Sequence, residues 1–271
     1  MPYGIPFYFH RVYLLIETEG KMNKIAVIIL AAGKGSRMKS DLAKVLHRVA
    51  GTSMVNHVIE AAKEVASSHI HVVVGHQAEQ VQKEIQKKHN VHFAFQKELL
   101  GTGDAVRVAL PGIEACIQHV LVLCGDVPLI KKQTIIDLVS AHQNRMADLT
   151  VLAAKVNDPS GYGRIIHDKD GHLLAIREEA DATDLEKQID IVNSGIFCFE
   201  KRFLESGLGQ IKNNNSQGEY YLTDLVEVAA LNRAKTFVKI IEDPEQVMGV
   251  NTIEQLTRIN KAFHMASNEL S

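Results

Sequence analysis

Short apolar runs that alternate with helix-forming segments constrain the fold of this chain more than any other feature of its sequence. Three of these runs are KIAVIILA at 24–31, HVVVG at 71–75 and HVLVLC at 119–124. Continuous apolar runs rich in β-branched residues are typical of strands that are buried on both faces. A fourth strand is predicted at 91–96, with helices between the strands at 52–65, 78–89 and 103–110. Strands and helices that alternate across short loops indicate βαβ units and a mostly parallel sheet, covered by helices on both faces.

The second half of the chain has a different pattern, with several shorter strands. Strands are predicted at 148–156, 164–167, 173–177, 189–199 and 236–241, and helices at 132–145, at 220–234 and from Thr252 onward. Thr52 or Ser53 is predicted to cap the helix at 52–65. No internal repeat or long linker divides the chain. We therefore predict a single α/β domain over 23–271, with a parallel half at about 23–150 and an antiparallel-rich half at about 151–271.

Composition argues against several classes of protein. The 271 residues carry 30 Lys and Arg against 32 Asp and Glu, a net charge of −2, whereas a nucleic-acid-binding protein needs a basic surface. The three cysteines, Cys116, Cys124 and Cys198, have no zinc-ligand spacing and fit a reducing cytoplasm. No apolar run approaches the ~18 residues that cross a membrane. We expect a cytoplasmic protein with no nucleic-acid or membrane partner, and nothing implies an obligate protein partner.

The first 22 residues form an atypical N-terminal extension. The chain has nine Phe and six Tyr residues, and five of these 15 aromatic residues stand within its first 13 positions. His10 and Arg11 interrupt the apolar stretch, which argues against a secretory signal peptide. An added strand, a poorly ordered arm and a translation start at Met22 are the open alternatives.

A glycine-rich loop follows the first predicted strand. It reads Leu30, Ala31, Ala32, Gly33, Lys34, Gly35, Ser36, Arg37 and Met38. In a parallel α/β sheet, ligands bind outside the carboxyl ends of the strands, and glycines let backbone N–H groups approach phosphate oxygens. Met38 stands where the dinucleotide fingerprint has its third glycine, and no Walker A sequence occurs. The pattern favours phosphate binding, with Lys34 and Arg37 supplying positive charge; a loop that only reverses the chain direction is the alternative.

This loop and a lysine beyond it resemble the motifs of a known family. Lys44, in SDLAKVL, lies six residues after Met38. The two segments resemble the L-A-A-G-x-G-[ST]-R-M and P-K motifs of sugar-nucleotide pyrophosphorylases. They are most similar to the uridyltransferase domain of the bacterial N-acetylglucosamine-1-phosphate uridyltransferases. The chain departs from the motif at Ala43, where the family usually has proline.

The resemblance implies a fold and a different binding role for each half of the chain. The implied fold is a Rossmann-like nucleotidyltransferase fold of the GT-A-like type. The half at about 23–150 is then expected to bind the nucleotide, and the half at about 151–271 the sugar.

Further motifs follow in the order of that family. The segment QKELLGTG at 96–103 resembles the stretch that recognises the uracil ring. A side-chain amide can donate and accept at once, which matches the O and N–H edge of uracil; a glutamine that merely ends a strand is the alternative. By this resemblance the nucleotide-binding residues are Leu30, Ala31, Ala32, Gly33, Lys34, Gly35, Gln96, Gly101 and Thr102.

A second group of residues is predicted to bind a metal ion. Asp126, in CGDVP, follows the strand at 119–124. A carboxylate at the carboxyl end of a parallel strand is well placed for Mg²⁺, which takes few carboxylates together with phosphate oxygens; a loop-capping role is the alternative. The resemblance adds Asn251, in GVN, as the second Mg²⁺ ligand, although an asparagine before a helix is also a common N-cap. The expected cofactor is Mg²⁺.

A third group is expected on the sugar side. The resemblance assigns sugar binding to Gly125, Gly163, Glu178, Asn193 and Thr223. The chain departs from the family at Ala180, where many members have a lysine.

The implied reaction joins UTP and N-acetylglucosamine 1-phosphate to give UDP-N-acetylglucosamine, a cell-wall precursor, and pyrophosphate. A sugar phosphate is already anionic, so an in-line displacement needs neither a general base nor a covalent intermediate, and catalysis is electrostatic and positional. Arg37, Lys44 and Asp126 are the expected catalytic residues: Arg37 holds the leaving pyrophosphate, Lys44 stabilises charge at the reacting phosphates, and Asp126 binds the cation.

Other functions are open at this point. The chain could use another base or sugar 1-phosphate, or it could be a catalytically silent sugar-nucleotide-binding regulatory protein. Bifunctional members of the family carry a C-terminal β-helix of hexapeptide repeats for acetyl transfer. This sequence has no hexapeptide periodicity, so we expect no acetyltransferase activity, and both a stand-alone enzyme and a fragment of a bifunctional one fit the sequence.

Overall fold

A computed structural model describes residues 24–66 and 68–269 of the chain. The predictions made for the first 22 residues lie outside this range. Eleven strands are present in the described part: β1 (Ile25–Leu30), β2 (Arg48–Val49), β3 (Thr52–Ser53), β4 (Ile70–Val74), β5 (His92–Phe95), β6 (His119–Cys124), β7 (Leu149–Lys155), β8 (Arg164–His167), β9 (Leu173–Arg177), β10 (Ile191–Glu200) and β11 (Thr236–Ile241).

Seven α-helices connect these strands in the same range. They are α1 (Met54–Ala62), α2 (Ala78–Gln86), α3 (Thr102–Ala109), α4 (Lys132–Arg145), α5 (Lys201–Leu208), α6 (Leu225–Leu231) and α7 (Ile253–Glu269). None of the described helices is both long enough and apolar enough to cross a membrane.

The central sheet has the order β11-β7-β10-β6-β1-β4-β5, and the β8–β9 hairpin is attached to β10. β5, β4, β1 and β6 are parallel neighbours, and β7 and β11 are parallel to each other. β10 runs antiparallel to β6 and β7 and joins the two parallel groups. The predicted α/β fold with a mostly parallel sheet and an antiparallel-rich part is confirmed.

Both faces of the sheet are covered by helices, as the continuous apolar runs predicted. Along β1, the side chains of Ile25, Val27 and Ile29 face a core shared with α1, α2 and α4. Ala26 and Ile28 face the opposite core, which contains side chains of α3, α5 and α6. All five residues are fully buried. Complete burial of one Val or Ile side chain stabilises the fold by roughly 1.5–3 kcal/mol, so β1 anchors the loop that follows it.

The last helix packs on a different surface, the short β2–β3 hairpin. Their shared apolar cluster consists of Val49, Met54, Val250, Leu256, Ile259 and Phe263. The Asn260 side chain adds polar contacts: it donates to the main-chain oxygen of Arg48 over 3.1 Å and accepts from the main-chain nitrogen of Ala50 over 2.9 Å. The final helix is therefore tied to a segment more than 200 residues earlier in the chain.

The helix predicted at 220–234 begins later than expected. A 3₁₀ turn spans Leu222–Asp224, and α6 then covers Leu225–Leu231. Tyr220 cannot be helical because its main-chain nitrogen donates to Leu100 over 2.7 Å and its oxygen accepts from Gly103 over 2.8 Å. Tertiary hydrogen bonds override the local helical pattern here.

One other local prediction was wrong, and one helix was missed. Thr52 and Ser53 form β3, and Ser53, which directly precedes α1, makes no capping hydrogen bond with its side chain. Helix α5 was not predicted at all. Its start is fixed by the carboxylate of Glu200, which accepts a hydrogen bond from the main-chain nitrogen of Phe203 over 2.7 Å, and glutamate is a less common N-cap than Ser, Thr, Asp or Asn.

Candidate active site

The carboxyl ends of β1, β4, β5 and β6 lie along one edge of the sheet because these strands are parallel. A cleft of about 240 Å³ opens at this edge. Its walls include Leu30 at the end of β1, 31–33 in the loop that follows, Gln96 after β5, and Gly101 and Thr102 at the start of α3. The side chains of Lys44 and Asp126 also line it. The structure thus gathers most of the predicted nucleotide-binding residues around one cleft.

The loop after β1 is open on one side and closely packed on the other. Gly33 and Lys34 are exposed, and no atom lies within 4 Å of the position that a Cβ on Gly33 would take. Gly35 has a φ of 62°, and a Cβ there would lie 2.5 Å from the Cβ of Lys44. Glycine is required at 35 because any side chain would displace Lys44.

Side chains from distant parts of the sequence converge beside this loop. The Lys44 ammonium group contacts Oδ2 of Asp126 and lies 3.1 Å from Oδ1 of Asn251. The Arg37 guanidinium donates to the same Asn251 oxygen over 2.9 Å. The predicted catalytic residues and both predicted metal ligands therefore form one hydrogen-bonded cluster.

The position of Asn251 is set by the start of α7. Oε1 of Gln255 accepts hydrogen bonds from the main-chain nitrogens of Asn251 and Thr252, over 2.6 and 3.1 Å. The main-chain nitrogen of Gln255 donates in return to the Thr252 hydroxyl over 3.2 Å. This reciprocal arrangement is a capping box. The sequence analysis missed Gln255, although T-x-x-Q before a helical pattern is a recognisable signal.

Asp126 and Asn251 offer a donor set that fits Mg²⁺. Carboxylate and amide oxygens are ligands that this cation accepts. The two oxygens already surround one positive charge, the ammonium group of Lys44. The main-chain oxygen of Asp126 also accepts from Val250 over 2.9 Å, which holds the two loops together.

A second group of potential ligands lies at the turn of the β8–β9 hairpin. It consists of Asp168, Asp170 and His172. Asp168 accepts hydrogen bonds from the main-chain nitrogens of both other residues, over 2.9 and 2.8 Å. These carboxylate contacts stabilise the turn, and the turn lies at the opposite end of the hairpin from the predicted sugar-binding residues.

Gln96 is buried and its orientation is fixed. Its Nε2 donates to the main-chain oxygen of Gly101 over 3.0 Å and to Oδ2 of Asp104 over 2.9 Å. Both N–H donors of the carboxamide are thus used within the protein. The group that Gln96 can offer to a base is its carbonyl oxygen, rather than the donor–acceptor pair expected from the sequence.

Gly101 and Thr102 lie where the base is predicted to bind, and they contact the segment that precedes α6. Gly101 has a φ of 110°, and a Cβ there would lie 2.6 Å from the main-chain oxygen of Tyr220. The Thr102 hydroxyl accepts from the main-chain nitrogen of Leu222 over 2.9 Å. These contacts fix the position of α3 against the half of the chain at about 151–271.

Four of the five predicted sugar-binding residues, all except Gly125, also lie together. The Thr223 hydroxyl donates to Glu178 over 3.1 Å, and a Cβ on Gly163 would lie 3.3 Å from both carboxylate oxygens of Glu178. The main-chain nitrogen of Asn193 donates to Gly163 over 2.8 Å. Burial raises the pKa of Glu178, and the hydrogen bond from Thr223 opposes that rise.

Cys124 lies between the cleft and the predicted sugar-binding group. Its thiol lies 3.4 Å from the main-chain oxygen of Gly195, beside the predicted sugar group. Gly125, the next residue, packs on β1: its nitrogen donates to Leu30 over 2.9 Å. Burial and the nearby Asp126 carboxylate raise the pKa of the Cys124 thiol to about 12. Cys124 therefore stays protonated and acts as a small packing residue.

A larger cavity of about 440 Å³ lies behind Glu178, between β9, α6 and the segment after α5. Its acidic residues are Glu178, Asp181, Asp224 and Glu227. Burial, together with the charges of Glu227 and Glu178, raises the pKa of Asp224 to about 6. The Arg177 guanidinium lies 3.2 Å from Glu227 and offsets part of this negative charge.

Sequence comparison identifies relatives along most of the chain. Residues 27–190 match the MobA-like NTP transferase domain family. A protein of Geotalea uraniireducens (strain Rf4), named Bifunctional protein GlmU, is 45% identical over 257 residues, which is 92% of this chain and 56% of that protein. A protein of the same name from Desulfotalea psychrophila is 40% identical over 92% of this chain and 73% of its own length. The chain spans about half the length of the first of these relatives.

Structure comparison finds the same fold. A crystal structure of a Bacillus anthracis protein, described as a glucose-1-phosphate thymidylyltransferase in complex with a sucrose, superimposes with a TM-score of 0.67. The alignment covers 88% of this chain and 94% of that protein at 18% identity. At this level of identity the match establishes the fold, which agrees with the nucleotidyltransferase fold expected from the sequence.

Proposed function

Because the chain belongs to the MobA-like NTP transferase domain family, we propose that it transfers a uridylyl group from UTP to N-acetyl-α-D-glucosamine 1-phosphate. The products are UDP-N-acetylglucosamine and pyrophosphate. Relatives named Bifunctional protein GlmU, at 45% and 40% identity, support this choice among the reactions of the family.

The observation that carries the proposal is the convergence of Arg37, Lys44, Asp126 and Asn251 at one end of the glycine loop. Two polyanionic substrates repel each other, so a site that joins them needs concentrated positive charge. A protein that only binds a sugar nucleotide has no need for a metal-binding pair beside two cationic side chains.

The chemical step is a displacement at the α-phosphorus of UTP. A phosphate oxygen of the sugar phosphate forms the new P–O bond, the bond to the bridging oxygen of pyrophosphate breaks, and pyrophosphate leaves with the electron pair. Arg37 and the open backbone around Gly33 hold the leaving group. Lys44 stabilises the negative charge at the reacting phosphates, and its position beside Asp126 supports that role.

Asp126 and Asn251 would hold Mg²⁺. When bound, the cation neutralises phosphate charge and aligns the two reacting groups. Lys44 contacts both of these residues and Arg37 contacts Asn251, so protein and metal charges would act at one place.

The fixed carboxamide of Gln96 supports a preference for uracil. Its carbonyl oxygen can accept a hydrogen bond from N3–H of uracil, whereas N3 of cytosine is itself an acceptor and would be repelled. The orientation is secured by Gly101 and Asp104, which accept the two N–H donors of Gln96.

The buried group around Glu178 supports sugar binding. A partly desolvated carboxylate is a strong acceptor for sugar hydroxyl groups. Thr223 donates a hydrogen bond to that carboxylate, the absence of a side chain at Gly163 leaves room for it, and Asn193 supplies an amide for the N-acetyl group.

A pyrophosphate-release assay tests the proposal directly. The purified chain is incubated with Mg²⁺ and each of UTP, CTP, GTP and dTTP, against N-acetylglucosamine, glucosamine, glucose and mannose 1-phosphates. We expect the fastest release with UTP and N-acetylglucosamine 1-phosphate. Faster release with another pair would reassign the substrate, and no release with any pair would favour a binding protein.

A further inference from the structure

The side chain of Gln77 spans the segment that precedes Lys44. Its Oε1 accepts a hydrogen bond from the main-chain nitrogen of Ala43 over 2.8 Å. Its Nε2 donates to the main-chain oxygen of Asp41. The carboxamide of Gln77 therefore binds the residues on both sides of Leu42, which is itself exposed. Residues 39–42 are exposed, so hydrogen bonds rather than burial hold this segment.

The backbone of Gln77 adopts an unfavourable conformation. Its φ is 52° and its ψ is 38°, in the left-handed region. A residue with a side chain is strained there, and glycine is not. Strained residues persist where the surrounding structure holds them, and they often occur at functional sites. A long polar side chain at such a position indicates that the side chain is used.

The segment held by Gln77 determines where Lys44 lies. Lys44 begins a 3₁₀ turn, and the oxygen of Ala43 accepts from the nitrogen of Leu46 to close it. The other side of Lys44 is packed against Gly35. Fixing Ala43 therefore fixes the start of the Lys44 side chain, whose ammonium group contacts Asp126.

We propose that Gln77 is a positioning residue for Lys44: its carboxamide holds Ala43 and Asp41 so that the Lys44 ammonium group reaches the phosphates. The proposal rests on the function proposed above, in which Lys44 acts at the reacting phosphates. Gln77 itself touches no reacting group and acts through the main chain.

Replacement of Gln77 by glycine separates this role from a purely structural one. Gln77→Gly removes both hydrogen bonds and also relieves the backbone strain at φ 52°. We expect kcat for pyrophosphate release to fall about tenfold, because small displacements of a positioned group are costly to catalysis. The thermal midpoint should stay the same or rise. A residue with only a structural role would lose stability and activity together.

Met146 offers a matched control for the change of backbone. It also has a left-handed φ, of 47°, and it is 77% exposed at the end of α4, away from the cleft. Met146→Gly should likewise preserve or raise the thermal midpoint, but it should leave kcat unchanged.

A second substitution is expected to restore activity. Ala43 has a φ of −53°, which a proline ring also enforces. Ala43→Pro in the Gln77→Gly background should fix the same backbone without the hydrogen bond and recover most of the lost kcat. The proposal is overturned if Gln77→Gly keeps the wild-type kcat, or if adding Ala43→Pro brings no recovery in a folded protein.

Amide exchange gives a readout that does not depend on activity. The Ala43 N–H should be protected in the wild type and should exchange at least about tenfold faster in Gln77→Gly, because its acceptor is gone. Equal exchange in the two proteins would overturn the proposal. A wild-type protein that releases no pyrophosphate would contradict the proposed function instead, and the Ala43 measurement would still decide whether Gln77 holds the segment.

Discussion

On the side of the cleft proposed to bind phosphates, one stretch at 30–44 provides the glycine loop, Arg37 and Lys44, and only Asp126 and Asn251 come from elsewhere. The proposed sugar side draws its residues from four separate segments. The phosphate side is rich in exposed groups and positive charge. The sugar side centres on Glu178, a half-buried carboxylate with a raised pKa, which accepts a hydrogen bond from Thr223. In the proposed function, the first arrangement acts on charge that changes during the reaction, and the second on hydroxyl groups that do not change. Substitutions on the phosphate side should therefore affect kcat, and those on the sugar side KM.

The largest effect is expected from Lys44→Ala and Asp126→Ala. Each should lower kcat about 100-fold or more, because each removes a group that stabilises charge in the transition state. The KM for the sugar phosphate should change little, and circular dichroism should show a folded protein. Lys131→Ala, a substitution of an exposed lysine paired with Asp243, serves as the control. Wild-type turnover in either cleft variant would remove the distinction between the two sides.

The sugar side is tested by Glu178→Gln. The amide keeps an acceptor for Thr223 but loses the negative charge, so the KM for the sugar phosphate should rise about tenfold while kcat stays near the wild-type value. Steady-state kinetics with the sugar phosphate varied at saturating UTP provide the measurement. Glu205→Gln, on the exposed side of α5, is the matched control. A fall in kcat alone would place Glu178 with the phosphate-side residues.

A smaller effect is expected at the base. Gln96→Met removes the fixed carbonyl oxygen while preserving the length of the side chain. We expect kcat/KM with UTP to fall about fivefold and the preference for UTP over CTP to decrease. Competition between the two nucleotides in one reaction measures that preference. An unchanged preference would show that another group selects the base.

The smallest effect concerns stability and pH on the sugar side. The pKa of Asp224 is raised from 3.8 to about 6 by burial and by Glu227, Glu178 and Asp181, against the charge of Arg177. Such a group stabilises the fold below its unfolded pKa, and this contribution is lost as the pH rises through about 6. Relative to Asp224→Asn, the wild type should lose about 1 kcal/mol of unfolding free energy between pH 4.5 and 7, after allowance for solvent screening. Urea titrations at the two pH values provide the measurement, and parallel curves would contradict it.

The two sides also differ in how far the sequence predicted them. The strand pattern and the loop at 30–38 lie within continuous stretches, so periodicity was sufficient to predict the parallel sheet. The glycine spacing predicts a phosphate-binding edge. The strands β6, β8, β9 and β11 agree closely with the predicted bounds. β6 is largely buried on both faces, whereas β8, β9 and β11 keep partly or fully exposed positions. In all four the run of strand-forming residues itself marks the strand.

Predictions based on local pattern failed where distant segments set the conformation. The helix expected at 220–234 was shortened because Tyr220 pairs with Leu100 and Gly103. The orientation of Gln96 depends on Asp104, and the role proposed for Gln77 depends on its contact with Ala43. Such contacts join residues by tertiary folding, and a single sequence carries no local signal for them.

The attachment of α7 to the β2–β3 hairpin has a consequence for protein synthesis. Asn251 leads into α7, and Asn260 fastens that helix to Arg48 and Ala50. A growing polypeptide can complete the sheet and the glycine loop while α7 is still inside the ribosome. Such an unfinished chain would lack one of the two proposed ligands of the cation, so we expect competence for the proposed catalysis only after α7 has left the ribosome and packed on the β2–β3 hairpin.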